Sequence, residues 1–278
     1  VLVLRRLNWK LGVWSVLLAA IVLILQGTAQ EKLTDIPNAT EKMVSALNST
    51  QWSNLESGID VIRAMTGNGT VLTAYRISPS DFSFSIVTQE NSSGSRARDI
   101  GEREGAVLAT NAGFFAESLS GSLYPIGYLR LNGDVLSKGW ESDGGLISLD
   151  EKTLMLTPTH AGIPKNSKDV LQSRPMLIEP DGRWAMGSNL GEVKNRTVLC
   201  KQKDGNIVIA LVTRVGMSLF EAGWIMREPA VGGFFDCDSA IALDGGRSTQ
   251  VWYSGDENYS FPGLVPVHNF FVVRGRGN

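Results

Sequence analysis

From Gly58 onward the chain is divided into short apolar runs, each closed by glycine, asparagine or proline, and that punctuation limits the fold more than any other feature. Val71–Ile77 and Phe82–Ile86 alternate as half-buried strands, separated by Ser78-Pro79-Ser80. Gly105 to Thr110 reads as a short apolar strand. Asn132-Gly133 and Asp204-Gly205 sit between apolar runs, where their tolerance of positive φ closes hairpins. Ile207 to Val212 is a continuous apolar run, expected as a central strand buried on both faces. One helix is expected after Ser218. Ser218 caps it with Glu221 three residues on, and Leu219, Ala222, Gly223 and Met226 share a face. Residues 58–278 are therefore expected to form a single mixed α+β domain, with a large, mainly antiparallel twisted sheet and a few packed helices.

The first 57 residues read differently. Arg5, Arg6 and Lys10 precede an uncharged run from Leu11 to Leu25, followed by Gly27-Thr28-Ala29. That succession is expected of a secretory signal over residues 1–29, and the alternative is an uncleaved membrane anchor through residues 11–25. Either way the protein is expected outside the cytoplasm, periplasmic or extracellular. Residues 30–57 are polar around Met43, Val44 and Leu47, a linker or ancillary helix.

The chain carries 26 basic and 28 acidic side chains. With the three basic residues of 1–29 removed, net charge falls from −2 to −5, and no basic stripe with interleaved aromatics is present. Nucleic-acid binding is disfavoured on both counts. Cys200 and Cys237 are the two cysteines, and a disulfide or two buried thiols are both open. With only His160 and His268 besides, neither a dedicated zinc site nor any other cofactor is expected.

The richest segment for chemistry is Ile241-Ala-Leu-Asp244-Gly245-Gly246-Arg247-Ser248-Thr249-Gln250. An apolar run delivers one carboxylate onto a glycine pair, where positive φ and uncovered N–H groups suit close approach of an anion or a sugar. A plain turn between strands is the structural alternative.

Other motifs fall in an ordered series. Asn111-Ala112-Gly113-Phe114-Phe115 comes first, then Pro125-Ile126-Gly127 ahead of Asn132-Gly133. Gln172-Ser173-Arg174-Pro175-Met176-Leu177 follows with Asp181-Gly182 behind it, then Asn195-Arg196-Thr197, Leu243–Ser248 and His268-Asn269. Together these resemble the phosphodiester glycosidase family from about Gly58 to the end. The resemblance is to its exported bacterial members, and Val1 ahead of a signal reads as a bacterial alternative start. It implies hydrolysis of a sugar joined through a phosphodiester. Ala112 stands where the mammalian branch has glycine, Arg174 where glycine is usual in the family and Arg247 where it is frequent, so the substrate of the mammalian branch is not carried over.

The chemistry implied is economical. A phosphate monoester leaving group has a final pKa of about 6, far below that of an alkoxide, so charge stabilisation replaces much of a general acid. One carboxylate with arginines is then a sufficient inventory. Asp244 is expected as nucleophile or as the base that activates water. Arg196 is expected as the phosphate clamp, because a guanidinium holds two oxygens at once. Asn111, Gly113, Ser173, Arg174, Gly245, Gly246, Arg247 and Ser248 complete the expected substrate-binding set, with no metal among the expected ligands. Phe114-Phe115 is read as core, Glu221 as a cap, and His160 and His268 as solvated or satisfied side chains. Two other classes stay open: a non-catalytic glycan- or anion-binding envelope protein of the same fold, and a phosphodiesterase cutting the P–O bond, which would normally require a metal cluster.

Overall fold

Side-chain alternation explains why the longest strand, Ile207–Met217, opens with six apolar residues in a row. In Ile207–Met217, Ile207, Ile209 and Leu211 point into one core, while Val208, Ala210 and Val212 point into another. Its neighbours follow the same period of two: Leu199 and Ile241 face the first core, and Val198, Cys200, Ala240 and Ala242 the second. A strand with two buried faces has no polar position to spare. Ile209→Asp would place an unpaired charge between the layers and unfold the domain.

The computed structural model describes residues 35–140, 144–150, 153–189 and 191–277. The expected signal segment lies outside them. Residues from Asn38 onward form one compact unit. Its largest sheet has eight antiparallel strands in the order Ser53–Glu56, Ile59–Met65, Val71–Ile77, Ile207–Met217, Lys194–Gln202, Cys237–Ala242, Met176–Glu179 and Arg183–Trp184. Against one face lie a four-stranded sheet (Val251–Tyr253, Leu108–Asn111, Asn269–Gly275, Phe82–Thr88) and a five-stranded one (Leu154–Pro158, Gly145–Leu149, Asp169–Ser173, Leu129–Leu131, Asp134–Ser137). The three sheets share the first core, to which Leu108, Phe271, Ile147 and Leu171 contribute from the smaller two. The other face of the large sheet is covered by Met43 and Leu47 of the helix Asn38–Asn48 and by Ile225 and Met226 of the helix Leu219–Met226. A short helix, Ala97–Arg103, seals the outer face of the four-stranded sheet through Ala97 and Ile100 against Phe270 and Val272. The architecture is the mainly antiparallel α+β domain read from the sequence.

Local signals translate directly. Asn132 and Gly133 both take positive φ (52° and 92°) and close the hairpin between Leu129–Leu131 and Asp134–Ser137. Asp204-Gly205 joins Lys194–Gln202 to Ile207–Met217, the fourth strand of eight. Ser218 accepts the Glu221 N–H (3.1 Å) and donates its own N–H to the Glu221 carboxylate (2.8 Å), a complete capping box. The strand expected from Gly105 begins at Leu108, because Gly105 (φ 57°) ends the preceding helix. Ser78–Ser80 carries the chain between layers: Val71–Ile77 belongs to the eight-stranded sheet and is buried on both faces, not half-buried, whereas Phe82–Thr88 belongs to the four-stranded one. The helix Asn38–Asn48 is tied to its neighbour by the Thr40 hydroxyl, which donates to the Glu221 carbonyl (3.2 Å). Cys200 and Cys237, on adjacent strands, form a disulfide.

Candidate active site

Past Ala242 the chain leaves the large sheet and crosses to the end of the strand Leu108–Asn111. Leu243 N–H donates to the Thr197 carbonyl (2.9 Å), and Asp244 N–H to the Ala112 carbonyl (2.8 Å). The buried Asn111 amide locks this crossing. Its Nδ2 donates to the Asp244 carbonyl (2.6 Å), and its Oδ1 accepts the Thr197 hydroxyl (2.9 Å) and the Gln250 N–H (3.0 Å). The Ser173 hydroxyl donates to the Ala242 carbonyl (2.7 Å), and Gly113 N–H to Asn269 Oδ1 (2.5 Å). A Cβ on Gly113 would lie 2.7 Å from Leu171 Cδ1. Asn111, Gly113 and Ser173 thus sit beneath the floor of the site and fix where Asp244 emerges. Removing one partner of such a buried set costs about 1–3 kcal/mol.

Above the floor opens a cleft of about 850 Å³, lined by Asp244, Gly245, Gly246, Arg247 and Ser248 on one side and by Lys194, Arg196 and Arg214 from the neighbouring strands. Arg174 and Phe114 close another part of the wall, and Val193, Val215, Leu219 and Leu264 add apolar surface. Among the described residues the lining therefore holds one carboxylate and five cationic side chains. Of the glycine pair only Gly246 has positive φ (61°). Gly245 is extended, and its need is space, since a Cβ there would stand 2.8 Å from the Asn195 carbonyl oxygen.

Burial pushes the Asp244 carboxyl above the usual carboxylate range, opposed in part by hydrogen bonds from the Ser248 hydroxyl and from Gly245 N–H, the latter at 2.9 Å. Arg196 is half-buried, and desolvation lowers its pKa. Its Nε donates to the Met217 carbonyl (2.9 Å) and its Nη2 to that of Glu192. A guanidinium has five N–H donors, so this anchoring leaves donors for an anion. Arg174 stacks on Trp140 with Cζ 4.5 Å from the ring centroid, and Trp140 meets Phe114 edge-on at 5.9 Å. Phe114, read from sequence as core, thus faces the cleft. Lys194 forms an ion pair with Glu192.

Lys194, Arg214 and Trp140 escaped the sequence reading. Arg214 lies in a bulge of Ile207–Met217: Arg196 pairs with Val212, yet Lys194 pairs with Met217, and Arg214 takes φ 70°. Gly216 in an otherwise strand-like run was the available signal. His268 is buried away from the cleft lining, and burial lowers its pKa to about 4; His160 is exposed. No group of three or more His, Cys, Asp or Glu side chains suited to a metal ion occurs among the described residues.

The family model for phosphodiester glycosidase matches residues 104–274, more than half of the chain. The protein belongs to the phosphodiester glycosidase family. Of the motifs scattered along the sequence, those at Asn111–Gly113, Ser173–Arg174, Arg196–Thr197, Leu243–Ser248 and Asn269 come together around Asp244, whereas Asn132-Gly133 and Asp181-Gly182 close turns elsewhere. Among solved structures, the catalytic domain of zebrafish N-acetylglucosamine-1-phosphodiester alpha-N-acetylglucosaminidase, auto-inhibited by its pro-peptide, matches with a TM-score of 0.59 at 12% identity over 82% of this chain and 88% of that one. A hypothetical protein from Synechocystis matches with a TM-score of 0.55 at 15% identity. That alignment covers 82% of this chain but 64% of the Synechocystis protein. A Burkholderia pseudomallei protein whose export is predicted matches at 0.55 and 12% identity over 74% of each chain. At these identities the likeness carries the fold alone. No curated protein matches the chain.

Proposed function

We propose that this phosphodiester glycosidase is an exported hydrolase that cleaves the sugar-side C–O bond of glycosyl phosphodiesters in envelope or extracellular glycans. One observation carries the reading: among the described residues, one partly desolvated carboxylate, Asp244, shares the cleft with five cationic side chains. As the C1–O bond breaks, its electron pair departs with the phosphate oxygen, and Arg196 with the Gly246 N–H stabilises that charge. Asp244 either attacks C1 or takes the proton from the water that does. Its raised pKa strengthens it as a base. The buried Asn111, Ser173 and Gly113 act as positioning groups that hold the Asp244 turn. Export is supported by the signal-like succession at residues 1–29 and by the disulfide, which persists in oxidising compartments. No helix among the described residues is long and apolar enough to cross a membrane.

The test is turnover of a panel of sugar 1-phosphate ethyl diesters, N-acetylglucosamine 1-phosphate among them, in ¹⁸O-labelled water. The expected products are free sugar carrying the label and unlabelled ethyl phosphate. Label in the phosphate, or release of ethanol with sugar 1-phosphate, would show P–O cleavage and overturn the reading.

A further inference from the structure

We infer that the cleft accepts a glycosyl phosphodiester bearing a second anionic group, held by Arg214 and Arg247. This deepens, and rests on, the hydrolase reading above. A phosphodiester brings one negative charge, and the cleft cations differ in how far they are already engaged. Arg196 is fixed beside Gly245 by two backbone carbonyls and suits the bridging phosphate. Lys194 is paired with Glu192, and Arg174 lies on Trp140. Arg214 and Arg247 remain: both guanidinium side chains are exposed in the lining, and neither makes an ion pair or side-chain hydrogen bond among the described residues.

Their backbones show that the placement is built in. Arg214 holds φ 70°, a region disfavoured for any residue with a Cβ, and the following Gly216 (φ 86°) lets the bulge pass over Lys194, whose carbonyl oxygen would stand 2.3 Å from a Cβ. An unbulged strand would have left position 214 in plain alternation with its neighbours. Arg247 enters from a different element, the turn Gly246–Ser248, and its carbonyl accepts the Leu264 and Val265 N–H groups (3.0 and 3.3 Å). Two guanidiniums with no ion pair among the described residues, carried by separate elements of one cleft wall, present positive charge that an anion would neutralise. A phosphate or a carboxylate supplies that charge, whether carried by the leaving group or by the sugar.

The experiment compares three diesters with the full protein: the ethyl diester of a sugar 1-phosphate, its 2-phosphoethyl analogue, and the ethyl diester of the matching uronic acid 1-phosphate. At least one doubly anionic substrate is expected to exceed the plain ethyl diester about tenfold or more in kcat/KM, chiefly through KM, with the advantage shrinking as salt rises. The favoured arm identifies which end carries the charge. Arg214→Gly, which keeps the left-handed backbone and removes the guanidinium, is expected to collapse that preference severalfold, as is Arg247→Ala. Equal kcat/KM on all three substrates, or a preference untouched by both variants, overturns the second-anion site while leaving hydrolysis intact. No turnover of any of the three overturns the hydrolase reading and this inference with it.

Discussion

The strands Lys194–Gln202 and Cys237–Ala242 run side by side and end in opposite ways. At one end the Cys200–Cys237 disulfide crosses between them, Gln202 donates to the Phe235 carbonyl (2.6 Å), and Lys203 pairs with both Glu228 and Asp236 at 2.8 Å. There Lys203 has two carboxylates within the fold. At the other end Arg196 and Asp244 stand in the cleft with Lys194, Arg214 and Arg247, and cations outnumber the carboxylate. The same sheet therefore has one end with ion pairs inside the fold and one where, on the proposed reading, an anionic ligand supplies the compensating charge. Proteins accept such local destabilisation where binding or chemistry requires it.

Asp244→Asn should separate the two ends most sharply. Hydrolysis is expected to fall by about 10³-fold or more, since either a nucleophile or a base is lost. A binding protein of this fold would instead keep its ligand. The same substitution should raise stability near pH 7 by about 1 kcal/mol. The sign follows from the raised carboxyl pKa. Ionising Asp244 costs the folded state, so its contribution is fully present below the unfolded value of about 3.9 and is lost as pH rises through the folded value. Thermal melts at pH 3 and pH 7 check this: the variant's advantage should appear only at the higher pH. A variant less stable than wild type at pH 7 would mean that the Asp244 carboxylate is a structural partner. In the wild type, the acid limb of kcat/KM should lie above the ordinary carboxylate range.

Arg196→Lys comes next. A lysine keeps the charge but has neither the two-carbonyl anchoring nor the planar fork, so kcat/KM should drop about 10²-fold on any diester. Loss confined to the doubly anionic substrates would move Arg196 into the same role as Arg214 and erase the distinction between the two anion positions. At the closed end, replacing Cys200 and Cys237 together by serine should cost about 2–4 kcal/mol in denaturant unfolding. Turnover per folded molecule should stay within about twofold of wild type. A parallel fall in kcat would show that the two ends are mechanically coupled.

What the sequence displayed of this arrangement was its local part. Asn132-Gly133 and the Ser218–Glu221 box were readable because turn and cap chemistry needs only neighbours a few residues apart. Ile207–Val212 was readable as a central strand because both of its faces are apolar. The partners of those elements were not readable. Val71–Ile77 pairs with Ile207–Thr213, and nothing in either run names the other. Asn111 shows the same limit within the site. It stood out as a motif residue, but its use as a lock depends on Thr197, Asp244 and Gln250, all far along the chain. Arg214 was hidden for a related reason: its left-handed backbone arises from the register jump opposite Lys194 and Arg196, which exists only once the two strands have paired.

The smallest expected effect belongs to Lys203→Met, and it tests what kind of compensation holds the closed end. Glu228 and Asp236 hold the Lys203 ammonium well above its usual pKa, yet its side chain is 43% exposed and solvent screens both pairs. Substitution should therefore move Tm by less than about 2 °C at neutral pH and leave turnover unchanged. A shift as large as that from removing the disulfide would place the stability of this end in its ion pairs. The contrast would then lie in whether the charges are matched within the fold, since both ends would be governed by charge.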